Sequence, residues 1–336
     1  MVAKMLQPDS RWPSLTDCHP AGTWLSIQAN LGLAPGTISA YSRSLDGYLT
    51  ACTTRHVDPL QASKADVANW LRDLRGLSNA TIQLRLVAVR LFYDYLVEEG
   101  LRERNPVGRG RRTPAWDESA RQRGLIRKEH KQPWVPTDGE WQAVLRAART
   151  EPIRNRFMVC LAYDAGLSRE ELCSLRTDDI DPAHRRVRVR AETTKTRFGR
   201  VIPYSEITGD LLRRYLVRRS ELSRARGPLL LSESTRNLAA PITLWTWSKV
   251  VRSIALRAGV DRFSTHTFRH LCLTDLARAG WELHEIATFA GHRNPATTLQ
   301  YIHLSGRDLA ARLAAGMEQL HAWRLGLVAN AFEVSN

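Results

Sequence analysis

Apolar residues recur at steps of three and four along the first hundred residues, which predicts amphipathic helices. A first helix follows Pro35 and Gly36. A second begins after a capping box of Ser63 and Asp66, and a third ends before Gly100. Their apolar positions are Ile38, Tyr41, Leu45, Leu49 and Cys52, then Val67, Trp70, Leu71 and Leu74, then Ile82, Leu86, Val89, Tyr93 and Leu96. The pattern predicts a small all-helical N-terminal domain.

The second half of the chain begins with a further capping box, Thr137 and Glu140, and continues with helical spacing. The apolar period then changes to two, because Val187 and Val189 alternate with arginines. This change predicts a hairpin or small sheet with Lys195 near its turn. Helical patterns return after the sheet and run to the end. The predicted fold class is mainly α with a small β-sheet in the C-terminal domain.

The 336-residue chain carries a net charge of +15, which indicates a polyanionic partner, with nucleic acid as the first candidate. An anionic membrane would also suit this charge. However, no stretch approaches 18 uninterrupted apolar residues, and the N-terminus lacks a signal-peptide pattern. We therefore expect a soluble, cytoplasmic protein. The five cysteines are scattered singly, which favours reduced packing residues over metal ligands or a catalytic thiol.

The segment 108–133 has no sustained apolar period and predicts a linker. It holds eight basic residues against three acidic ones. Such a run can simply be solvated, but in a chain this basic we expect a strap along phosphates. The basic residues expected to contact nucleic acid are Arg109, Arg111, Arg112, Arg121, Arg123, Arg127 and Lys128. The predicted division is 1–107 (helical domain), 108–133 (basic linker), 134–305 (mixed domain) and 306–336 (C-terminal helix or tail).

The last segment has apolar residues at helical spacing. Two interpretations are open: the helix packs on its own domain, or it docks on a neighbouring protomer. The spaced residues are Leu309, Leu313, Met317, Leu320 and Leu327.

Four polar residues near the C-terminus form a candidate site. His266 and Arg269 are three residues apart in a predicted helix, so both project from one face. A second helix begins at about Asn294, with His292 just before it and Tyr301 further in. Each feature alone has an ordinary explanation as a surface pair or a packing residue. Together they place polar groups where an anion can bind.

In order and spacing these residues resemble the tyrosine recombinase (phage integrase) family. The family's second signature is similar to "HTFRH", its later histidine and tyrosine to His292 and Tyr301, and its hairpin lysine to Lys195 in "TTKTRFGRVIPY". The first signature, G-L-R-x-x-E-L, aligns with "GLSREEL", where Glu171 fits and Ser168 occupies the arginine position. The resemblance implies a two-domain clamp around duplex DNA, built from a helical core-binding (SAM-like) domain and a mixed α/β catalytic domain.

The resemblance further implies strand exchange by transesterification, without metal or cofactor. Tyr301 would be the nucleophile that forms a 3′-phosphotyrosyl link. Arg269, with His266 and His292, would hold the phosphate, and Lys195 would protonate the leaving oxygen. Glu171 would orient His266 or its neighbours.

The partners implied are double-stranded DNA with specific recombination sites and a homo-tetramer on two duplexes. Without DNA the chain would be monomeric or weakly associated. We also expect an accessory directionality factor and a nucleoid-associated location. Phage integration, transposon movement and chromosome-dimer resolution all remain open as the biological task.

Serine at position 168 lacks the charge and length of a guanidinium. One interpretation is a catalytically impaired chain, either an engineered trap or a natural degenerate copy. The other is that Arg169 has taken over, although one step along a helix turns a side chain by about 100°. Two further function classes are also open: a type IB topoisomerase or telomere resolvase, and a DNA-binding protein that keeps the fold without the chemistry.

Overall fold

The computed structural model describes residues 12–107, 133–194 and 196–304, together with residues 316, 318, 320–324, 326–328, 330 and 331. The chain forms two compact units, Met1–Lys131 and Gln132–Asn336. Each unit has a hydrophobic core of its own. Apart from Pro133, the predicted linker lies outside the described residues, and so do all seven basic residues expected to contact nucleic acid.

The described part of the first unit is built from helices. The capping box of Ser63 and Asp66 is confirmed: the Ser63 N–H donates to the Asp66 carboxylate at 2.8 Å, and the Asp66 N–H donates to Ser63 Oγ at 3.3 Å. The three helices predicted from the apolar pattern correspond to the last three of those observed. The helices are α1 (Pro13–Asp17), α2 (His19–Asn30), α3 (Pro35–Thr54), α4 (Lys64–Asp73) and α5 (Asn79–Glu98).

Aromatic residues dominate the core of the first unit. Trp24 and Phe92 are 1% and 0% exposed. The hydroxyls of Tyr48 and Tyr93 lie 2.6 Å apart, and the Tyr93 hydroxyl donates to the carbonyl of Pro59 at 2.9 Å. Both buried hydroxyls therefore have partners, and the contact joins α3 to α5.

The described part of the second unit is mainly helical with a three-stranded sheet, which confirms the predicted fold class. The capping box of Thr137 and Glu140 is also confirmed. The elements are α6 (Asp138–Ala148), α7 (Ile153–Asp164), α8 (Arg169–Cys173), β1 (Ile180–Asp181), β2 (Arg186–Val189), β3 (Arg200–Pro203), α9 (Glu206–Leu222), α10 (Leu244–Arg257), α11 (Thr265–Arg278), α12 (Leu283–Ala290) and α13 (Ala296–Leu304).

The sheet is antiparallel in the order β1-β2-β3. Val187 pairs with Ile202 and Val189 with Arg200, and all four are buried on the inner face. Val201, between the two inward residues of β3, is 59% exposed. The predicted alternation is thus confirmed, and it places a charged residue, Arg200, in an inward position.

The helical pattern predicted beyond the sheet is interrupted at residues 223–243. Two isolated β-bridges and a short 3₁₀ turn occupy this interval. The buried Arg219 stabilises this interval. Its guanidinium donates hydrogen bonds to backbone carbonyls that would have backbone N–H partners if the helix continued. The acceptors are the carbonyls of Ser223, Ala225, Pro228 and Leu229.

The core of the second unit stacks Phe157 on Tyr215 and Trp247 on Phe268. All five cysteines of the chain are free thiols. Burial raises the pKa of Cys272 to about 12, which is typical of a packing thiol. In the part of the chain that the structure describes, no helix has the length and apolar content needed to cross a membrane.

Candidate active site

One face of α11 carries three polar side chains. The helix begins after Ser264, whose N–H donates to Thr267 Oγ1 at 3.0 Å. His266, Arg269 and His270 follow at spacings of three and four, so they project from the same side of the helix. Most of the residues between and after them are buried in the core. The local sequence therefore fixes which way these side chains point.

Arg269 joins three segments of the unit. Its Nη1 donates to the carbonyl of Gly166 at 2.8 Å, and its Nη2 donates to the carbonyl of Ala290 and lies 3.1 Å from His292 Nε2. Nη1 also lies 3.6 Å from a carboxylate oxygen of Glu171. The planar guanidinium thus connects α11 with the loop before α8 and with the end of α12.

His292 is held in one orientation and one protonation state. Its Nδ1 lies 2.9 Å from Oγ1 of the buried Thr298. Burial, followed by the charges of Arg269 and Arg200, lowers the pKa of His292 to about 4, so the imidazole is neutral at pH 7. Nε2 then accepts from Arg269, and Nδ1–H donates to Thr298.

Tyr301 completes the cluster. It is 2% exposed, and its hydroxyl lies 2.9 Å from Nδ1 of His270. Its ring is parallel to that of His292, at 8° with 6.2 Å between centroids. Burial raises the pKa of Tyr301, while the charge of Arg269 acts in the opposite direction. The structure therefore brings together Arg269, His292 and Tyr301, which lie in separate segments of the sequence.

Ser168 acts as a helix cap. Its Oγ accepts from the N–H of Glu171 at 3.2 Å, and its own N–H donates to the Glu171 carboxylate at 2.8 Å. The guanidinium of the neighbouring Arg169 donates to Ser248 in α10, at 3.3 Å, and to Glu170, at 2.9 Å. Neither residue brings a guanidinium to the cluster around Arg269.

A second guanidinium reaches the cluster from β3. Arg200 donates to both carboxylate oxygens of Glu171, at 2.8 and 3.1 Å, and its Nε donates to the carbonyl of Phe289 at 2.8 Å. The two side chains are 5% and 6% exposed. Burial acts to raise the pKa of Glu171, but Arg200 and then Arg269 outweigh it, so the pKa is lowered. Glu171 is therefore an ionised, fully partnered carboxylate.

Lys195 lies outside the described residues, but the residue after it is described. Thr196 Oγ1 donates to the carbonyl of Gly291 at 3.2 Å. The hairpin between β2 and β3 is thus anchored next to the segment that carries His292. Among the described side chains, Arg200, Arg269, Glu171 and the neutral His292 contribute two guanidiniums and one carboxylate, which leaves one positive charge to bind a phosphodiester. Within the described ranges no three His, Cys, Asp or Glu side chains group as metal ligands.

The chain matches two protein-family models. The model of the phage integrase family matches residues 137–307, which is half of the chain. The chain belongs to the phage integrase family. A second model, for the N-terminal SAM-like domain of phage integrases, matches residues 24–100. The family is that of the tyrosine recombinases, which are site-specific DNA recombinases.

Individual proteins agree with this assignment. Tyrosine recombinase XerC of Mycobacterium tuberculosis is 31% identical over 266 residues, covering 75% of this chain and 81% of the relative. XerC of Chlorobaculum tepidum is 26% identical over 329 residues, covering 87% and 92%. A crystal structure of the XerH site-specific recombinase bound to a palindromic difH substrate has the same fold, with a TM-score of 0.68. It is 18% identical and covers 90% of this chain and 86% of that one.

Two ionisable residues of the site, Arg200 and His270, were not predicted from the sequence. Arg200 could have been found, because it shares the inward register of β3 with Ile202, and an inward arginine requires a buried acidic partner. His270 could have been found from its four-residue spacing after His266 on the helix face. The partner of either side chain comes from a distant segment, which spacing alone does not reveal.

Proposed function

We propose that this tyrosine recombinase cuts and rejoins double-stranded DNA at specific sites through a 3′-phosphotyrosyl link formed by Tyr301. The observation that carries the proposal is the single cluster in which Tyr301, Arg269 and His292 meet. The net charge of +15 supports a DNA partner, because lysine and arginine bind phosphates. The basic segment 108–133 would add phosphate contacts.

The proposed chemistry is a transesterification at phosphorus. Tyr301 Oη attacks the scissile phosphate, and the bond to the 5′ oxygen breaks. Arg269 exchanges its contacts with the carbonyls of Gly166 and Ala290 and with His292 for two non-bridging oxygens. His266 assists, and so does His292 once the phosphate charge has brought a proton to its Nε2. Lys195 protonates the leaving oxygen. The phosphotyrosyl ester conserves the bond energy, so rejoining requires no nucleotide.

We further propose that Ser168 slows this reaction. The serine serves as a helix cap, Arg169 is directed toward α10, and Arg200 has its donors on Glu171 and on a backbone carbonyl. One donor to a developing phosphorane is typically worth on the order of 3 kcal/mol, or a hundredfold in rate. The same observation favours a second candidate function, a DNA-binding protein that has kept the fold and lost the chemistry.

The C-terminal segment is proposed to take part in assembly on DNA. Within the described positions after residue 315, the chain is helical, and Leu320, Trp323 and Leu327 are 54%, 63% and 50% exposed. These residues are three and four positions apart on the helix, so they form one exposed apolar stripe, and contiguous apolar patches of this kind mark interaction sites. The proposal is that this helix docks on a neighbouring protomer in a tetramer that holds two duplexes.

Covalent trapping tests the proposed function. The DNA site is first selected by binding from a random duplex library and is then prepared as a nicked suicide substrate. The parent chain, Ser168→Arg and Tyr301→Phe are compared for covalent adducts. Adducts that Tyr301→Phe abolishes support the enzyme, and a strong increase with Ser168→Arg supports impairment. Tight binding without an adduct from either the parent or Ser168→Arg would leave the DNA-binding protein as the function.

A further inference from the structure

The tyrosine hydroxyl has a partner that the proposed chemistry has not used. The hydroxyl of Tyr301 lies 2.9 Å from Nδ1 of His270, and the two rings are 5.7 Å apart between centroids. His270 follows Arg269 directly in α11, so one helix positions both the phosphate-binding guanidinium and the hydroxyl. We infer that His270 is a further catalytic residue, which orients the nucleophile Tyr301 and accepts its proton.

The protonation states suit a hydrogen bond from the phenol to this imidazole. Burial, with the charges of His266 and Arg269, lowers the pKa of His270 to about 4, so its imidazole is neutral at pH 7. Burial raises the pKa of Tyr301, so the phenol keeps its proton. The hydroxyl therefore donates to Nδ1, and the imidazole carries its own hydrogen on Nε2. A phenol that donates to the histidine keeps both oxygen lone pairs available for attack on phosphorus.

The surroundings hold this pair in place. Tyr301 packs on Leu273, Ile286 and Ala290, all at most 2% exposed. The backbone carbonyl of His270 accepts from Thr274 Oγ1 at 2.8 Å, in the next turn of α11. Tyr301 is thus held by an apolar cluster, and its hydroxyl contacts the imidazole.

The inferred proton transfer from Tyr301 to His270 rests on the proposed function. As the Tyr301 oxygen bonds to phosphorus, its proton moves to His270 Nδ1, and the departing 5′ oxygen takes a proton from Lys195. The entering phosphate adds negative charge beside Arg269, which stabilises the imidazolium. In the rejoining step the 5′ hydroxyl gives its proton to Lys195 and attacks phosphorus, the bond to Tyr301 breaks, and His270 Nδ1 returns its proton to the departing Tyr301 oxygen.

The first test needs no activity. In the full chain labelled with ¹⁵N-histidine, we expect the His270 signal, assigned with His270→Asn, to show an Nε2–H tautomer. Tyr301→Phe should shift its Nδ1 resonance and leave the exposed His284 unchanged. An unshifted His270 signal, or an Nδ1–H tautomer, overturns the inference.

The second test measures adduct formation on the suicide substrate, in the Ser168→Arg background if the parent is inactive. His270→Ala should slow it about a hundredfold or more at unchanged DNA affinity. His270→Asn, which keeps an acceptor near the Nδ1 position without basicity, should recover only part of the rate. The control His284→Asn should match its background, and a His270→Ala rate equal to that background refutes the catalytic role. If no background forms adducts, the proposed function fails, and the nitrogen shifts alone decide whether His270 holds Tyr301.

Discussion

Arg200 donates one hydrogen bond to each carboxylate oxygen of Glu171, at 2.8 and 3.1 Å, and both side chains are almost completely buried. The pair connects β3 to the first turn of α8, and Nε of Arg200 extends the connection to the end of α12. These are the segments that lead to Lys195, Ser168 and His292. The ion pair is therefore the structural centre of the candidate site, although neither side chain is proposed to touch DNA.

Removal of Arg200 should destabilise the second unit strongly. Arg200→Ala leaves Glu171 as a buried carboxylate without its main partner, which typically costs about 3–5 kcal/mol. The free energy of unfolding in urea measures this loss. Arg213→Ala is the control, because its ion pair with Asp210 is 75% and 55% exposed and should contribute less than about 1 kcal/mol. Equal losses in the two variants would contradict the structural role of Arg200.

The elements of this fold follow closely from the sequence, whereas the contacts between them do not. Capping boxes at Ser63 and Thr137 and the alternation of Val187 and Val189 are local signals, and each is confirmed. The break after α9 was not predicted, because Arg219 replaces helical hydrogen bonds through long-range contacts with backbone carbonyls.

For the candidate site, too, the sequence predicts the residues better than the contacts between them. The spacing of His266, Arg269, His292 and Tyr301 suggested one anion site, and the structure brings Arg269, His292 and Tyr301 together. The roles of these residues remain proposals. The pairing of Arg200 with Glu171 depends on residues 29 positions apart that share no periodic pattern.

The free energy of unfolding of the chain should decrease as the pH is lowered from about 6.5 to about 4. The pKa values of His270 and His292 are lowered from 6.5 to about 4 in the folded chain. In that window the unfolded chain binds more protons than the folded chain, so the free energy of unfolding decreases as pH falls. His270→Asn should make the decrease shallower. Urea unfolding at several pH values measures the slope, and an unchanged slope in His270→Asn would argue against the buried neutral state.

Gly291 should tolerate no side chain. It has a φ of +70°, and a Cβ there would lie 2.9 Å from Nη1 of Arg200. Gly259 has a φ of +68° but nothing within 4 Å of its Cβ position, so Gly259→Ala measures backbone strain alone. Strain of this kind typically costs about 1 kcal/mol. Gly291→Ala should cost clearly more in urea unfolding, and the same loss in both variants would show that contact with Arg200 is unimportant.

Truncation after residue 307 should separate folding from assembly. The helical residues Leu320 and Leu327 are about half exposed, so their removal exposes little of the core. We expect the truncated chain to unfold at the same urea concentration and to bind a single duplex, but to lose complexes containing two duplexes. Native gels with two differently labelled duplexes measure this. The double variant Leu320→Asp with Leu327→Asp should behave likewise, and undiminished pairing of duplexes would exclude the helix from assembly.

The most direct test of the account identifies the residue that carries DNA after cleavage. Trypsin releases residues 294–307 as one peptide, in which Tyr301 is the only tyrosine. The adduct trapped on the suicide substrate, with Ser168→Arg if the parent forms none, is digested with nuclease and trypsin and analysed by mass spectrometry. The account predicts a nucleotide on this peptide at Tyr301 and none in Tyr301→Phe. A nucleotide on any other peptide, or an adduct that persists in Tyr301→Phe, would contradict it.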